Sequence, residues 1–227
     1  MAPIHDAARS ANATMLRRVL ESGVSPDALA ADRTPIHLLC LSRNACMNGD
    51  RAACFKLLRE AGANLEATNS IGMTPLHEAA ANGRLELLSL LIQSGVNVNA
   101  THMQGKNALH FAVQGSAIYS RKIACCELLL KAGAAVNVKA HGWQTPLNIA
   151  LTCHLRRMWP LFLRAGAEMP NHTVFTYPYI ERVRNAGGFK RYEQAHLARL
   201  TAILETPLLP PELVRKILEF WLHAGYY

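Results

Sequence analysis

The sequence predicts an all-α solenoid of about five helix-turn-helix repeats with β-hairpin fingers, closed by a helical C-terminal cap. Three observations carry this: a repeated Thr-Pro-Leu-His-like motif, a glycine closing each repeat, and a change of composition after residue 168. The 227 residues are 50% apolar, enough to bury a sizeable core. No stretch reaches the length of about twenty uninterrupted apolar residues that a membrane-spanning helix requires.

The period is measured from the fourth motif residue of each unit to its closing glycine: His5 to Gly23, His37 to Gly62, His77 to Gly95, His110 to Gly133 and Asn148 to Gly166. These separations are 18, 25, 18, 23 and 18 residues, and the steps to the next motif are 14, 15, 15 and 15. The basic period is therefore 33 residues, with 7 extra in the second unit and 5 in the fourth. Five units cover residues 1–168, and residues 169–227 form the cap or tail.

The third unit illustrates the local logic. Thr74 caps a helix with its hydroxyl, and Pro75 takes the first helical position, where a missing N–H costs nothing. Asn82-Gly83 stops this helix in a left-handed turn. A second helix follows through Leu85, Leu87, Leu88, Leu90, Leu91 and Ile92, dense enough in apolar residues to be buried on more than one side, and Gly95 ends it. Neither helix is long enough to persist alone. Ala79, Ala80 and Ala81 allow close approach, so stacking unit on unit builds one continuous core. VNVNATHMQGK then crosses back as an extended, turn-containing finger.

TPLHEAA at 74–80, TPIHLLC at 34–40, NALHFAV at 107–113, TPLNIAL at 145–151 and APIHDAA at 2–8 closely resemble the ankyrin repeat, as do AGANLEA, SGVNVNA and AGAAVNV. The resemblance covers about three quarters of the chain. It departs from the family pattern at Asn107-Ala108 in place of Thr-Pro, at Asn148 in place of His, at Trp143 in place of a finger glycine, and at Pro160. This proline kinks the last unit's second helix or delays its start. The resemblance implies that His37, His77 and His110 hydrogen-bond within the hairpin and helix framework. A catalytic role would need a fixed nucleophile or metal beside each histidine, and no constant Ser, Cys or Asp accompanies them. The expectation is a protein without catalytic residues or cofactor.

The family resemblance further implies protein partners held by finger tips and by the concave face of the first helices. The positions that vary there are Ser70, Ile71 and Met73, then Met103, Gln104 and Lys106, then His141, Trp143 and Gln144. Ile71, Met73, Met103 and Trp143 point to a ligand with an exposed apolar stripe; the competing reading packs Trp143 on its own hairpin and Met73 beneath a neighbouring finger. The insertions around SRNACMNGD and QGSAIYSRK fall between paired helices, on the opposite edge, and read as surface loops or helix extensions.

After Pro170, YPYIERVRNAGG reads as a short helix, and FKRYEQAHLARLTAIL as a longer one. Pro210-Pro211 then opens a helix with Leu213, Val214, Ile217, Leu218 and Trp221 on one face. The structural reading is a cover over the end of the array. LPPELVRKILEFW also resembles the opening helix of an F-box or of the abbreviated F-box-like tails that follow some ankyrin arrays. That resemblance implies a ubiquitin-ligase adaptor bound by Leu209, Pro210, Leu213, Ile217 and Trp221, and makes a substrate-recognition subunit the alternative function. With Tyr227 as the last residue the segment is shorter than a full F-box, and the HLARL to LLPPEL spacing is shorter than in a SOCS box.

The net charge of +8 divides evenly, with 14 basic and 10 acidic residues in 1–150 and 10 and 6 in 151–227. No clustered stripe forms, which argues against a nucleic-acid partner. The N-terminus lacks the basic and apolar regions of a secretory signal, and the six cysteines show no paired extracellular spacing. The expected location is therefore intracellular, cytoplasmic or nuclear. Cys40, Cys46 and Cys54 near His37 match no compact zinc spacing, so no metal site is expected.

Overall fold

Short helices ending in left-handed glycines are the building unit of the computed structural model, which describes residues 3–42, 50–169, 177–204, 212, 213 and 216. Twelve α-helices occur among them: α1 (Pro3–Ser10), α2 (Ala13–Glu21), α3 (Pro35–Leu41), α4 (Asp50–Glu60), α5 (Pro75–Ala81), α6 (Leu85–Gln93), α7 (Ala108–Gln114), α8 (Tyr119–Lys131), α9 (Pro146–Thr152), α10 (Trp159–Arg164), α11 (Pro178–Asn185) and α12 (Phe189–Leu204). The five closing glycines, Gly23, Gly62, Gly95, Gly133 and Gly166, all have φ between 79° and 86°. This shared conformation gives the 33-residue spacing its physical cause.

Packing divides the chain into two compact units, Met1–Pro146 and Leu147–Tyr227. In the first unit α1, α3, α5 and α7 stack in one row and α2, α4, α6 and α8 in a second. Each helix also packs on its partner within the pair. The core between the rows holds Ile4, Leu16, Ile36, Leu39, Phe55, Leu58, Leu76, Leu87, Leu88 and Leu91, all fully buried. Helices of seven to thirteen residues are marginal in water, so this burial supplies their stability. A polar ladder repeats alongside it: Asn64 N donates to Asp27 Oδ1 at 2.9 Å, Asn97 N to Glu66 Oε1 at 2.6 Å and Ala135 N to Asn99 Oδ1 at 2.7 Å.

The fingers are tighter than the expected β-hairpins. Among the described residues they contain isolated bridges, Ala30 with Arg33 and Ala140 with Gln144, and no strands. In two other fingers Asn69 N donates to Met73 O at 3.1 Å and His102 N to Lys106 O at 3.0 Å. A turn of this length closes before a ladder can extend. The first finger bridges across one residue fewer, which accounts for the 14-residue first step.

In the second unit Pro160 falls in the first turn of α10, after a 3-10 turn at Arg156–Met158. The proline thus starts the helix late, as its missing N–H dictates. Trp159 is buried and donates Nε1–H to Ala150 O at 3.0 Å. The α10 and α11 helices each pack on α12, and Arg164 and Glu193 pair at 2.7 Å. The fifth helix pair thus shares a compact unit with the C-terminal helices, so packing divides the chain earlier than the repeat pattern ends. Among the described residues no helix is long and apolar enough to cross a membrane.

Candidate functional site: the finger edge

The motif histidines build the frame on which the fingers stand. Thr74 N donates to His77 Nδ1 at 3.0 Å, and the Thr74 hydroxyl lies 2.9 Å from the same nitrogen. With Nδ1 accepting, the proton sits on Nε2, which donates to Ala100 O at 3.0 Å. His37 Nε2 likewise donates to Met73 O, and His110 Nε2 to Gln144 O, both at 3.0 Å. His5 Nε2 reaches Ala28 O at 2.8 Å. One imidazole therefore ties the start of a helix to a following finger.

Thr74 and His77 form a reciprocal capping box at the start of α5, and Thr34 differs. The Thr34 hydroxyl makes no bond to a helix amide and lies 2.8 Å from His37 Nδ1 instead. Where Asn107 replaces threonine, its Oδ1 does accept from His110 N, at 3.4 Å, while its Nδ2 donates to Ala135 O at 2.9 Å.

Burial holds these imidazoles neutral. It pushes His77 down to about 4, against the acceptor at Ala100 that favours the proton. Burial also lowers His37 and His110. A neutral, fully buried ring with both nitrogens engaged has no free base to offer a substrate.

Each finger is bonded to the next. Ser70 N donates to Asp32 Oδ2 at 2.6 Å, Met103 N to Ile71 O at 3.1 Å and His141 N to Gln104 O at 2.9 Å. The second of these bonds sets Ile71 and Met103 in adjacent fingers, with 48% and 71% of their surface exposed. Ser70, Gln104, His141 and Gln144 are exposed around them, and Lys106 is half-buried with Nζ donating to Gln114 Oε1 at 2.8 Å. The finger edge thus exposes both polar and apolar side chains.

Met73 does not share this edge. Its N–H is captured by Asn69 Oδ1 at 2.9 Å and its carbonyl by His37, which turns the side chain inward to 8% exposure. The backbone of Trp143 lies in a 3-10 turn, His141–Trp143, and Gly142 takes the positive φ of that finger. Leu29, 71% exposed in the first finger, was not singled out by motif position. Arg33 and Glu78 also escaped the sequence reading. The Glu78 carboxylate, 6% exposed, lies 3.5 Å from Arg33 Nε. Burial raises it and Arg33 opposes that. A charged residue at the position after His77, where Leu38 and Phe111 stand in neighbouring repeats, was the available signal.

Of the residues assigned to adaptor binding, Leu209, Pro210, Ile217 and Trp221 lie outside the described residues. Leu213 is helical and 46% exposed. Among the described residues no cluster of three or more His, Cys, Asp or Glu could hold a metal ion.

A family model described as ankyrin repeats, in three copies, matches residues 43–140. The chain is also similar to a human protein named ankyrin repeat and SOCS box protein 16, at 33% identity over 177 residues. That match covers 75% of this chain and 38% of the relative, so the chain spans well under half of the relative's length. Repeat spacing, paired helices stacked in two rows, histidine-tied fingers and these likenesses agree: the chain belongs to the ankyrin repeat proteins.

Proposed function

We propose that the chain is a non-catalytic protein-interaction module that holds a partner protein on its finger edge. The contact residues are Ser70, Ile71, Met103, Gln104, His141, Trp143 and Gln144, with Lys106 beside them. The observation that carries this reading is the pair Ile71 and Met103, two exposed apolar side chains on fingers locked together by a backbone hydrogen bond. Exposed apolar side chains on a preset backbone, with polar side chains on the same edge, suit binding energy concentrated in few residues. The test is quantitative affinity purification with the natural chain and with an Ile71→Ser/Met103→Ser variant. Loss of partners from a variant with unchanged circular dichroism supports the finger edge, and undiminished recovery refutes it.

A second reading makes the chain the substrate-recognition subunit of a ubiquitin ligase. It rests on the likeness of LPPELVRKILEFW to an F-box-like helix and on a relative whose name joins ankyrin repeats to a SOCS box. A chain ending at Thr206 tests it. Ligase adaptor subunits recovered with the full chain and lost with the shortened one support the reading; their absence from both, with other partners retained, contradicts it.

A further inference from the structure

The helix-pair turns, at the far end of α5 and α7 from the fingers, carry features that the finger reading does not use. Arg51 on α4, Arg84 at the N-cap of α6 and Arg121 on α8 border one cavity of about 240 Å³ together with Gly83. A broader hollow of about 510 Å³ adjoins it through Arg84 and Arg121 and is floored by Ser116, Ala117 and Ile118. Glu86 is the one carboxylate among the described residues lining the two.

The insertion of the fourth repeat makes part of this wall, and it is held firmly. A Cβ on Gly115 would run into the carbonyl of Ala81, so this backbone lies directly on the end of α5. A Cβ on Gly83 would fall 2.6 Å from Ala117 Cβ and 3.2 Å from Arg121 Cβ. Two glycines therefore let the α5–α6 turn and the inserted segment close on each other. Lys122 Nζ donates to Val113 O at 2.9 Å, and Lys122 N to Ile118 O at 3.1 Å, which fix the start of α8. Ile118 consequently stands 65% exposed on a backbone without slack.

We propose that this edge is a second docking surface, which takes a short acidic segment of a partner protein carrying an apolar side chain. The carboxylates lie among Arg51, Arg84 and Arg121, and the apolar side chain rests on Ile118 and Ala117. Guanidinium groups suit carboxylates because their planar fork donates two parallel hydrogen bonds. A fixed wall binds without first having to be ordered. Among the described residues the lining contains no aromatic ring on which a base could stack, which favours an acidic peptide over a single-stranded nucleic acid.

The probe is a fluorescein-labelled octapeptide of glutamates with one central leucine, followed by anisotropy against the full chain at low and moderate salt. The expected dissociation constant is tighter than about 100 µM and weakens with salt. Arg121→Gln and Ile118→Ser, both at exposed positions, each weaken it at least about three-fold, and Arg84→Gln/Arg121→Gln about ten-fold. Ile71→Ser/Met103→Ser leaves it unchanged, which separates this surface from the finger edge. Four results overturn the proposal: no binding by the natural chain, equal binding by the Arg121 and Ile118 variants, equal binding of a leucine-free glutamate peptide, or displacement by phosphatidylserine vesicles but not by unlabelled peptide.

Discussion

Acidification tests whether the motif histidines are structural, because it acts on them while leaving the fingers chemically intact. His77 is a base whose folded pKa, about 4, lies below its ordinary value of 6.5. Between these values the unfolded chain binds a proton that the folded chain does not, so stability is full above 6.5 and falls as pH drops toward 4. A gap of this size corresponds to about 3 kcal/mol for His77 alone, a large part of a domain's usual margin. His37 and His110 are shifted in the same direction and add to the loss. Glu78, raised by burial, works in the opposite sense, because the folded state holds its proton more tightly. The assay is urea unfolding by far-ultraviolet circular dichroism at about pH 7.5, 6 and 4.5, on the natural chain and on His77→Asn. Asparagine is what the fifth repeat carries at this position. The variant is expected to lose about 1–3 kcal/mol at neutral pH with its two hydrogen bonds. It should also lose about 2 kcal/mol less than the natural chain on acidification. Parallel pH profiles for the two proteins would refute the assignment of His77 as a buried neutral group.

Arg33→Ala strands the Glu78 carboxylate, so it is expected to destabilise by about 1–3 kcal/mol near pH 8 and by less near pH 5, since burial favours the protonated carboxyl. Chemical denaturation at both pH values checks this, and Glu78→Gln in the same chain should restore the stability. Gly115→Ala forces the inserted segment off Ala81 and is expected to cost at least about 1–3 kcal/mol, whereas Ser116→Ala, one residue on and exposed, should change unfolding by under about 0.5 kcal/mol. Cys40, Cys54, Cys125 and Cys126 are buried thiols outside any disulfide. Burial pushes Cys125 up to about 11 and raises Cys40 and Cys126 as well. Brief iodoacetamide treatment of the folded protein, read by peptide mass spectrometry, should label exposed Cys153 and spare these four until urea is added.

The sequence announced the architecture because the 33-residue period is written in residues with one physical job each. Gly95 and its equivalents must accept positive φ, and His77 and its equivalents must accept and donate along one line. Pro160 was legible for the same reason. Side-chain direction within a finger was less so. Met73 and Ile71 are two residues apart and equally apolar, and both amides donate to Asn69 Oδ1; the Met73 carbonyl is further held by His37, and Met73 is the one that is buried. The arginine-lined edge had a signal that went unread: Arg51, Arg84 and Arg121 are 33 and 37 residues apart, close to one period each. Charge counted over long segments hides such a row, since the solenoid brings together residues that the sequence disperses. Glu78 was missed because its partner, Arg33, lies 45 positions earlier, in another repeat.

Whether a partner sits on the finger edge can be read by hydrogen exchange and mass spectrometry, on the chain alone and with its recovered partner bound. New protection is expected over residues 69–73 and 102–106, where the Ile71 and Met103 amides lie, with the helix cores unchanged. Protection that leaves both fingers exchanging as in the free chain would contradict that placement.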